Sequence, residues 1–455
     1  MDRVWMGLVG SLLIGVSACG TYWSYAGGDW QQPFVTALGS AVPHVASRVL
    51  MVIGVALLTW AWWRLRPWSG VLPGGAGPDR TIPGRWALLG VWSLPLLLVP
   101  PVLTADPFAY ADSGWILLSG LNPYEVGYGG AGGPFVAAVD PLWQGVGVAY
   151  PPLQFFINAA MVLLAGLHPY WAVVAMRIPA LIGVALVAAL LPRIADLLGT
   201  DREVAVWFGV LNPILVIHFV GGAHNDAIMV GVSVLAIWLV AAFGRAGDAR
   251  SAWVVFLLAP VVVGIAMALK QQAGLTVIAV AGLPVAAMLA RMTRARRWLE
   301  WAWRLAAATV VALVVFGGIG ALTGLGNGWI EWMDQMGRTG SAAPFNLLGQ
   351  LFDVLAPDAG VYQVLGVVST VAMLGALAFF FVRYDAQPLR WLGWGSFWFT
   401  VLGSALHPWY VVWPQSILAV TPLQRRVLTA LVVFSVAFGL WNAIQTVSFA
   451  SAPLR

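Results

Sequence analysis

The chain has 455 residues, 60% hydrophobic and 9% charged, with a mean hydropathy of +0.85. Soluble domains carry roughly 25% charged residues, so this is a polytopic membrane protein with little room for a soluble domain. The net charge of +5 and pI near 9.6 do not indicate nucleic acid, because the arginines sit in short loops between apolar runs, and one cysteine, Cys19, excludes an intrachain disulfide and a cysteine-based metal site.

A span needs roughly 20 mostly apolar residues. Candidate runs centre on 4–22, 48–64, 86–104, 151–168, 170–192, 203–220, 226–243, 252–269, 273–290, 304–323, 361–382, 391–406, 409–424 and 427–447. The first follows Arg3 and has no persuasive small-residue cleavage site, so it reads as a retained span rather than a signal peptide. Arginine and lysine collect in cytoplasmic loops, which tests the list. If all fourteen runs crossed, the loop RMTRARRWLEWAWR (291–304) would lie outside, together with four other basic loops. If 151–168 lies on or dips into the outer surface, every basic loop falls inside, and 18 of the 23 basic residues are then cytoplasmic. The expectation is an all-α protein of about thirteen spans with outer-face juxtamembrane or re-entrant helices, N-terminus inside and C-terminus outside. It forms one integral-membrane domain over 1–455: two spans in 1–85, a core module in 86–320, and C-terminal helices in 321–455. The 26 Trp and 10 Tyr suit aromatic belts at the two interfaces.

This topology gives the outer side a character. The segment 105–150 carries Asp106, Asp112, Glu125 and Asp140 and no Lys or Arg. A second loop, 324–360, holds Glu331, Asp334, Arg338, Asp353 and Asp358. His224-Asn225-Asp226, the corner at Lys270, and His407-Pro408-Trp409-Tyr410 emerge on the same side. Asp112 and Glu125 read as solvated loop acids, and GYGGAGG (127–133) as a flexible loop, since no helix follows to complete a phosphate-binding turn. No Walker-type loop and no internal repeat is visible, which argues against a cytoplasmic ATP site and an inverted-repeat transporter.

Several words recur together: DPFAYADSGWILLSGLNPY (106–124), VDPLW (139–143), AYPPL (149–153), MRIPALIG (176–183), LNPILVIHFVGGAHNDAIMVG (211–231), ALKQQAG (268–274) and LHPWYVVWP (406–414). Over roughly residues 85–425 the chain resembles the polyprenyl-phosphate-mannose-dependent α-1,6-mannosyltransferases of actinobacteria. These are integral-membrane GT-C glycosyltransferases that build the mannan core of lipomannan and lipoarabinomannan. The resemblance implies mannose transfer from a polyprenyl-phosphate donor to a lipid-linked mannan acceptor, at the extracytoplasmic face of the plasma membrane. It also implies inversion at the anomeric carbon and a catalytic aspartate in the first outer loop.

Such a reaction needs a base for the acceptor hydroxyl, cations for the departing phosphate, and a groove for the prenyl tail. Asp106, held at fixed depth just after a span, is the candidate base; the competing reading is a helix cap before Pro107. Lys270, the only lysine, could meet the phosphate or snorkel to the interface. Arg177, at a span end, could bind phosphate or pair with an acid, and Arg338 is a weaker candidate. His407 could hydrogen-bond phosphate or sugar. Trp409 and Tyr410 could stack on sugar or anchor the interface, and Tyr110 joins them as a substrate contact. Asp140 is either a turn residue or an acceptor-hydroxyl ligand. Asp226 and Asn225 are expected to bind acceptor or position Asp106, with His224 as a nearby donor; the competing reading is a helix cap at Asp226. No cofactor is expected. A divalent ion on Asp106, Asp226 and His224 is not favoured, because a monophosphate leaving group with cationic partners need not have one. Two other functions remain open: transfer of another sugar such as arabinose, and a lipid or sugar transporter, which would place its ionisable residues along a path through the bilayer.

Overall fold

The computed structural model describes residues 3–21, 30, 32–68, 82, 84–244, 247–337, 341–355 and 360–449. Its elements are helices, and the one extended pairing among these residues is an isolated bridge between Tyr128 and Gln144. Nine helices among them are long and apolar enough to cross a membrane, or ten if one bent pair counts as a span. This is a multi-pass membrane protein. The chain segment 151–168 forms a helix of 13 residues, Pro152–Leu164, too short to cross a bilayer.

Three runs expected as spans are not single helices of bilayer length, and proline and glycine account for each. Over 86–104, the helix Arg85–Ser93 passes into one 3-10 turn containing Pro95, and Pro100 and Pro101 keep the remainder irregular. Over 391–406, the helix Pro388–Leu402 stops at Gly403. Over 409–424, a 3-10 turn, Pro408–Val411, leads into the seven-residue helix Val412–Leu418.

The run 203–220 is also interrupted. Its halves, Arg202–Val210 and Leu215–Gly221, meet at 53° across Asn212-Pro213. Each half carries π-helical turns. The Asn212 side chain serves the break on both sides: its Oδ1 accepts from the Ile214 N–H at 2.9 Å, and its Nδ2 donates to Gln415 Oε1 at 2.9 Å. Within lipid every such group must find a protein partner. The same logic explains Trp62 and Trp207, which stack at 4.3 Å and each donate an indole N–H to the other's carbonyl.

One crossing fixes the site. The spans Pro169–Leu198 and Asp226–Phe243 touch through Gly183 and Gly231. A Cβ on Gly183 would meet the Ala227 carbonyl oxygen at 2.0 Å, and one on Gly231 would meet the Gly183 Cα at 2.6 Å. Small residues let two membrane helices approach this closely. The first turn of Asp226–Phe243 is thereby set against the span that carries Arg177. At the opposite end of the bundle, Asp385 gathers the arginine-rich segment: Arg297 pairs with it at 2.5 Å, and the Trp301 indole donates to its carbonyl at 2.6 Å.

Candidate active site

Two chain segments bring the central carboxylate and imidazole together. Leu103 and Ala223, three residues before Asp106 and three before Asp226, have φ of 55° and 50°. Non-glycine residues rarely adopt that backbone, and where they do the surroundings must hold it. Arg177 ties the two segments together just before these residues. Buried at 2% exposure, its guanidinium donates to the carbonyls of Val99, Pro100, Val220 and Gly221. The Val102 N–H donates to the Gly221 carbonyl as well. Arg177 therefore clasps the segment leading to Asp106 against the one leading to His224. It does not line the cavity, which corrects its reading as a phosphate ligand: its Nε and Nη2 donate to backbone carbonyls. Arg177→Met is expected to cost about 3 kcal/mol or more of stability, since several buried carbonyls lose a charged donor. Thermal unfolding checks this, and a sugar-donor KM within roughly twofold of the parent separates a clasp from a phosphate ligand.

Asp106 opens the helix Asp106–Leu118, but its side chain caps nothing. Its N–H donates to Thr104 Oγ1 at 3.1 Å, and its carboxylate faces a cavity of about 530 Å³ while remaining 26% exposed. His224 Nδ1 lies 3.2 Å from Asp106 Oδ2. The Tyr110 hydroxyl lies 3.2 Å from both Asp106 Oδ2 and Asn225 Oδ1. One hydroxyl proton serves one of these oxygens at a time. Burial raises the Asp106 pKa, but the adjacent His224, with His407 and Lys270 further off, more than offsets it and brings the value to about 2.

Trp409 stacks on both imidazoles, His224 at 3.7 Å and His407 at 4.6 Å. His407 lines the cavity. Burial drives its pKa down to about 4, against the opposing pull of Asp106, so it is neutral at physiological pH. The wall is completed by Tyr110, Tyr128, Tyr150 and Tyr410. Burial, reinforced by nearby carboxylates, raises the pKa of each well above the ordinary phenol value, so all four are neutral hydroxyl donors.

Asp226 and Lys270 lie behind this wall. They form a buried ion pair at 2.7 Å, with exposures of 2% and 1%. The ammonium sits 4.5 Å from the centre of the Tyr410 ring and 5.6 Å from that of Tyr150. Lys270 therefore does not point freely into the cavity, and Asp226 makes no side-chain cap for its helix. Asp140 does line the cavity, with one oxygen accepting the Leu142 N–H at 3.0 Å. Arg338 lies outside the described residues. Among those residues no group of three or more His, Cys, Asp or Glu is placed to hold a metal.

Two loop readings need correction. Asp112 is not solvated: it is fully buried, accepts the Gly129 N–H at 2.7 Å, and burial raises its pKa to about 6 against that bond. GYGGAGG is accordingly a built turn closed on Asp112, with Gly127, Gly129, Gly132 and Gly133 all at positive φ. Glu125 is exposed, as expected, and accepts from Asn122 Nδ2 at 2.9 Å. The sequence did not single out Tyr128, Trp143, Tyr150 or Trp332, which share the cavity wall. The AYPPL and VDPLW words were signals for Tyr150 and Trp143; Tyr128 and Trp332 had none.

Comparison with known proteins places the chain in a family. Residues 4–287 match the family model described as alpha-(1->6)-mannopyranosyltransferase, N-terminal domain, and residues 339–445 match that of the MptB C-terminal domain. Alpha-(1->6)-mannopyranosyltransferase A of Mycobacterium tuberculosis is 29% identical over 85% of this chain and 73% of its own length. Alpha-(1->6)-mannopyranosyltransferase B of Corynebacterium glutamicum is 25% identical over 92% of this chain and 72% of its own. The crystal structure of ArnT from Cupriavidus metallidurans in the apo state aligns with 83% of this chain and 59% of its own, at 17% identity and a TM-score of 0.40.

Proposed function

Because the chain belongs to the alpha-(1->6)-mannopyranosyltransferase family, and so is a glycosyltransferase, we propose that it moves mannose from a polyprenyl-phosphate donor onto the α-1,6-mannan backbone of a lipid-linked glycan. The cavity end of the bundle would face the extracytoplasmic side of the plasma membrane, with the arginine-rich end in the cytoplasm. The observation that carries this reading is Asp106: a carboxylate open to a cavity, beside His224 and Tyr110, with phenol hydroxyls and an imidazole around it.

The acceptor 6-hydroxyl attacks the anomeric carbon, its proton passes to Asp106, and the carbon–oxygen bond to the prenyl phosphate breaks with its electron pair on the phosphate. A single in-line displacement converts a β-linked mannosyl phosphate into an α-mannoside. The neutral Tyr150 and Tyr410 hydroxyls and His407 are the donors nearest the departing anion, and Lys270 adds positive potential from behind the rings. Asp226, the acid that would join Asp106 and His224 in a ligand set for a divalent ion, is paired with Lys270.

Purified protein in lipid discs, given a short α-1,6-mannoside acceptor, should form product with polyprenyl-phosphate mannose and far less with polyprenyl-phosphate arabinose. Preference for the arabinosyl donor would transfer the reading to that sister activity. Product from neither donor would defeat it.

A further inference from the structure

Resting on the transferase reading above, the geometry points to an acceptor-sugar subsite in which the indoles of Trp143 and Trp332 and the carboxylate of Asp140 hold a neutral hexopyranose against Asp106. All four residues line the one cavity. The indoles come from separate loops, and the Trp332 loop is built around its ring. Trp332 belongs to the 3-10 segment Gly328–Gly337 and lies flat on Gly147, where a Cβ would meet its Cε2 at 1.9 Å. In return the Tyr124 ring fills the space over Gly328, where a Cβ would meet Tyr124 Cδ2 at 2.5 Å. The Trp332 indole N–H donates to the Tyr124 carbonyl at 3.1 Å, and the Tyr124 hydroxyl donates to the Tyr150 carbonyl at 2.8 Å. Trp332 is therefore fixed to the wall that carries Tyr150 before any ligand arrives. Trp143 follows Asp140 in one turn, its N–H donating to the Asp140 carbonyl at 2.8 Å.

The chemistry of this group selects its ligand. Indoles offer flat apolar faces to the C–H side of a pyranose, and a carboxylate accepts from its hydroxyls. A prenyl tail has no use for Asp140, and a phosphate would be repelled by it. The donor's charged group is thus left to the His407, Tyr150 and Tyr410 part of the wall, and the neutral acceptor to this one.

The test uses the full chain in lipid discs and the variants Trp332→Ala, Trp332→Phe and Gly147→Val. Trp332→Ala should raise the KM for an alkyl α-1,6-dimannoside about tenfold, the size of one lost stacking contact, with the donor KM within roughly twofold. Trp332→Phe should recover most of the loss, and Gly147→Val, which unseats the indole, should reproduce it. Binding of α-1,6-mannotriose, followed by saturation-transfer NMR without donor, should weaken in the same order. Unchanged acceptor KM and binding in Trp332→Ala, or equal rises in both KM values, would overturn the subsite. If the parent binds mannotriose through Trp332 but transfers no mannose, the subsite stands and the transferase reading falls. Transfer that is indifferent to Trp332 does the reverse.

Discussion

Asp106→Asn is expected to lower mannose transfer by roughly 10²–10⁴-fold, the range for losing a positioned general base, while the protein stays folded. Asparagine has the same shape, so the Asp106–Leu118 helix keeps its start, and Tyr110 can still donate to the amide oxygen. What disappears is the charge that faces the cavity and lies beside His224. Initial rates in lipid discs together with thermal midpoints check this; turnover within a few-fold of the parent would remove Asp106 from the mechanism. The pH profile adds a signature. In the free protein Asp106 is ionised above about 2 and His407 neutral above about 4. The kcat/KM profile should therefore be level from about pH 5 to 8, its acid limb set by protonation of Asp106 at about 2. A bound phosphate monoanion raises the pKa of a neighbouring carboxylate, so the acid limb of kcat should sit at higher pH than that of kcat/KM. Stability follows the same shifts. The folded pKa of Asp106 lies below its ordinary 3.8, so its contribution is present above that value and lost as pH falls through about 2. His407 is held below its ordinary 6.5, so the unfolded chain takes up its proton first and stability declines between about 6.5 and 4.

Composition and charge were enough to predict a helical membrane bundle, because long apolar runs and arginine placement report directly on the bilayer. They could not predict where helices fail. The run 86–104 is as apolar as a true span, yet Pro95, Pro100 and Pro101 turn it into the irregular segment that presents Asp106. Within the site, Asp106, His224 and Asn225 stood out because polar residues between apolar runs are costly and need a reason, and the fold does bring them together. Arg177 stood out for the same reason, but its role differs: a charge at a span end looks alike whether it holds a ligand or a set of orphaned carbonyls. The sequence also marked Asp226 and Lys270 separately. Their pairing spans 44 residues and depends on the Gly183–Gly231 crossing, which no single stretch encodes. Trp143 was marked only by its place in VDPLW, and Trp332 was one of 26 tryptophans with nothing in its neighbours to set it apart.

The Asp226–Lys270 pair yields the second large effect. Lys270→Met leaves a carboxylate at 2% exposure without its counter-ion, and Asp226→Asn strands an ammonium at 1%. Breaking a buried pair from one side costs about 3–5 kcal/mol, whereas replacing both partners with neutral groups is often close to neutral. Each single variant should therefore unfold well below the parent, and the Asp226→Asn, Lys270→Met double variant should regain most of the loss. Thermal unfolding of the parent, Asp226→Asn, Lys270→Met and the double variant forms the cycle, and additive losses would show that the two charges are not coupled. The double variant also isolates the functional contribution. Lys270 is one of the charges that depress the Asp106 pKa, and its ammonium lies against the Tyr150 and Tyr410 rings. In the restored double variant the acid limb of kcat/KM should move to higher pH, and kcat should fall more than donor KM rises, because the lost field acts on the departing phosphate from behind the wall. A rise in donor KM with kcat unchanged would instead make Lys270 a direct ground-state ligand of the phosphate.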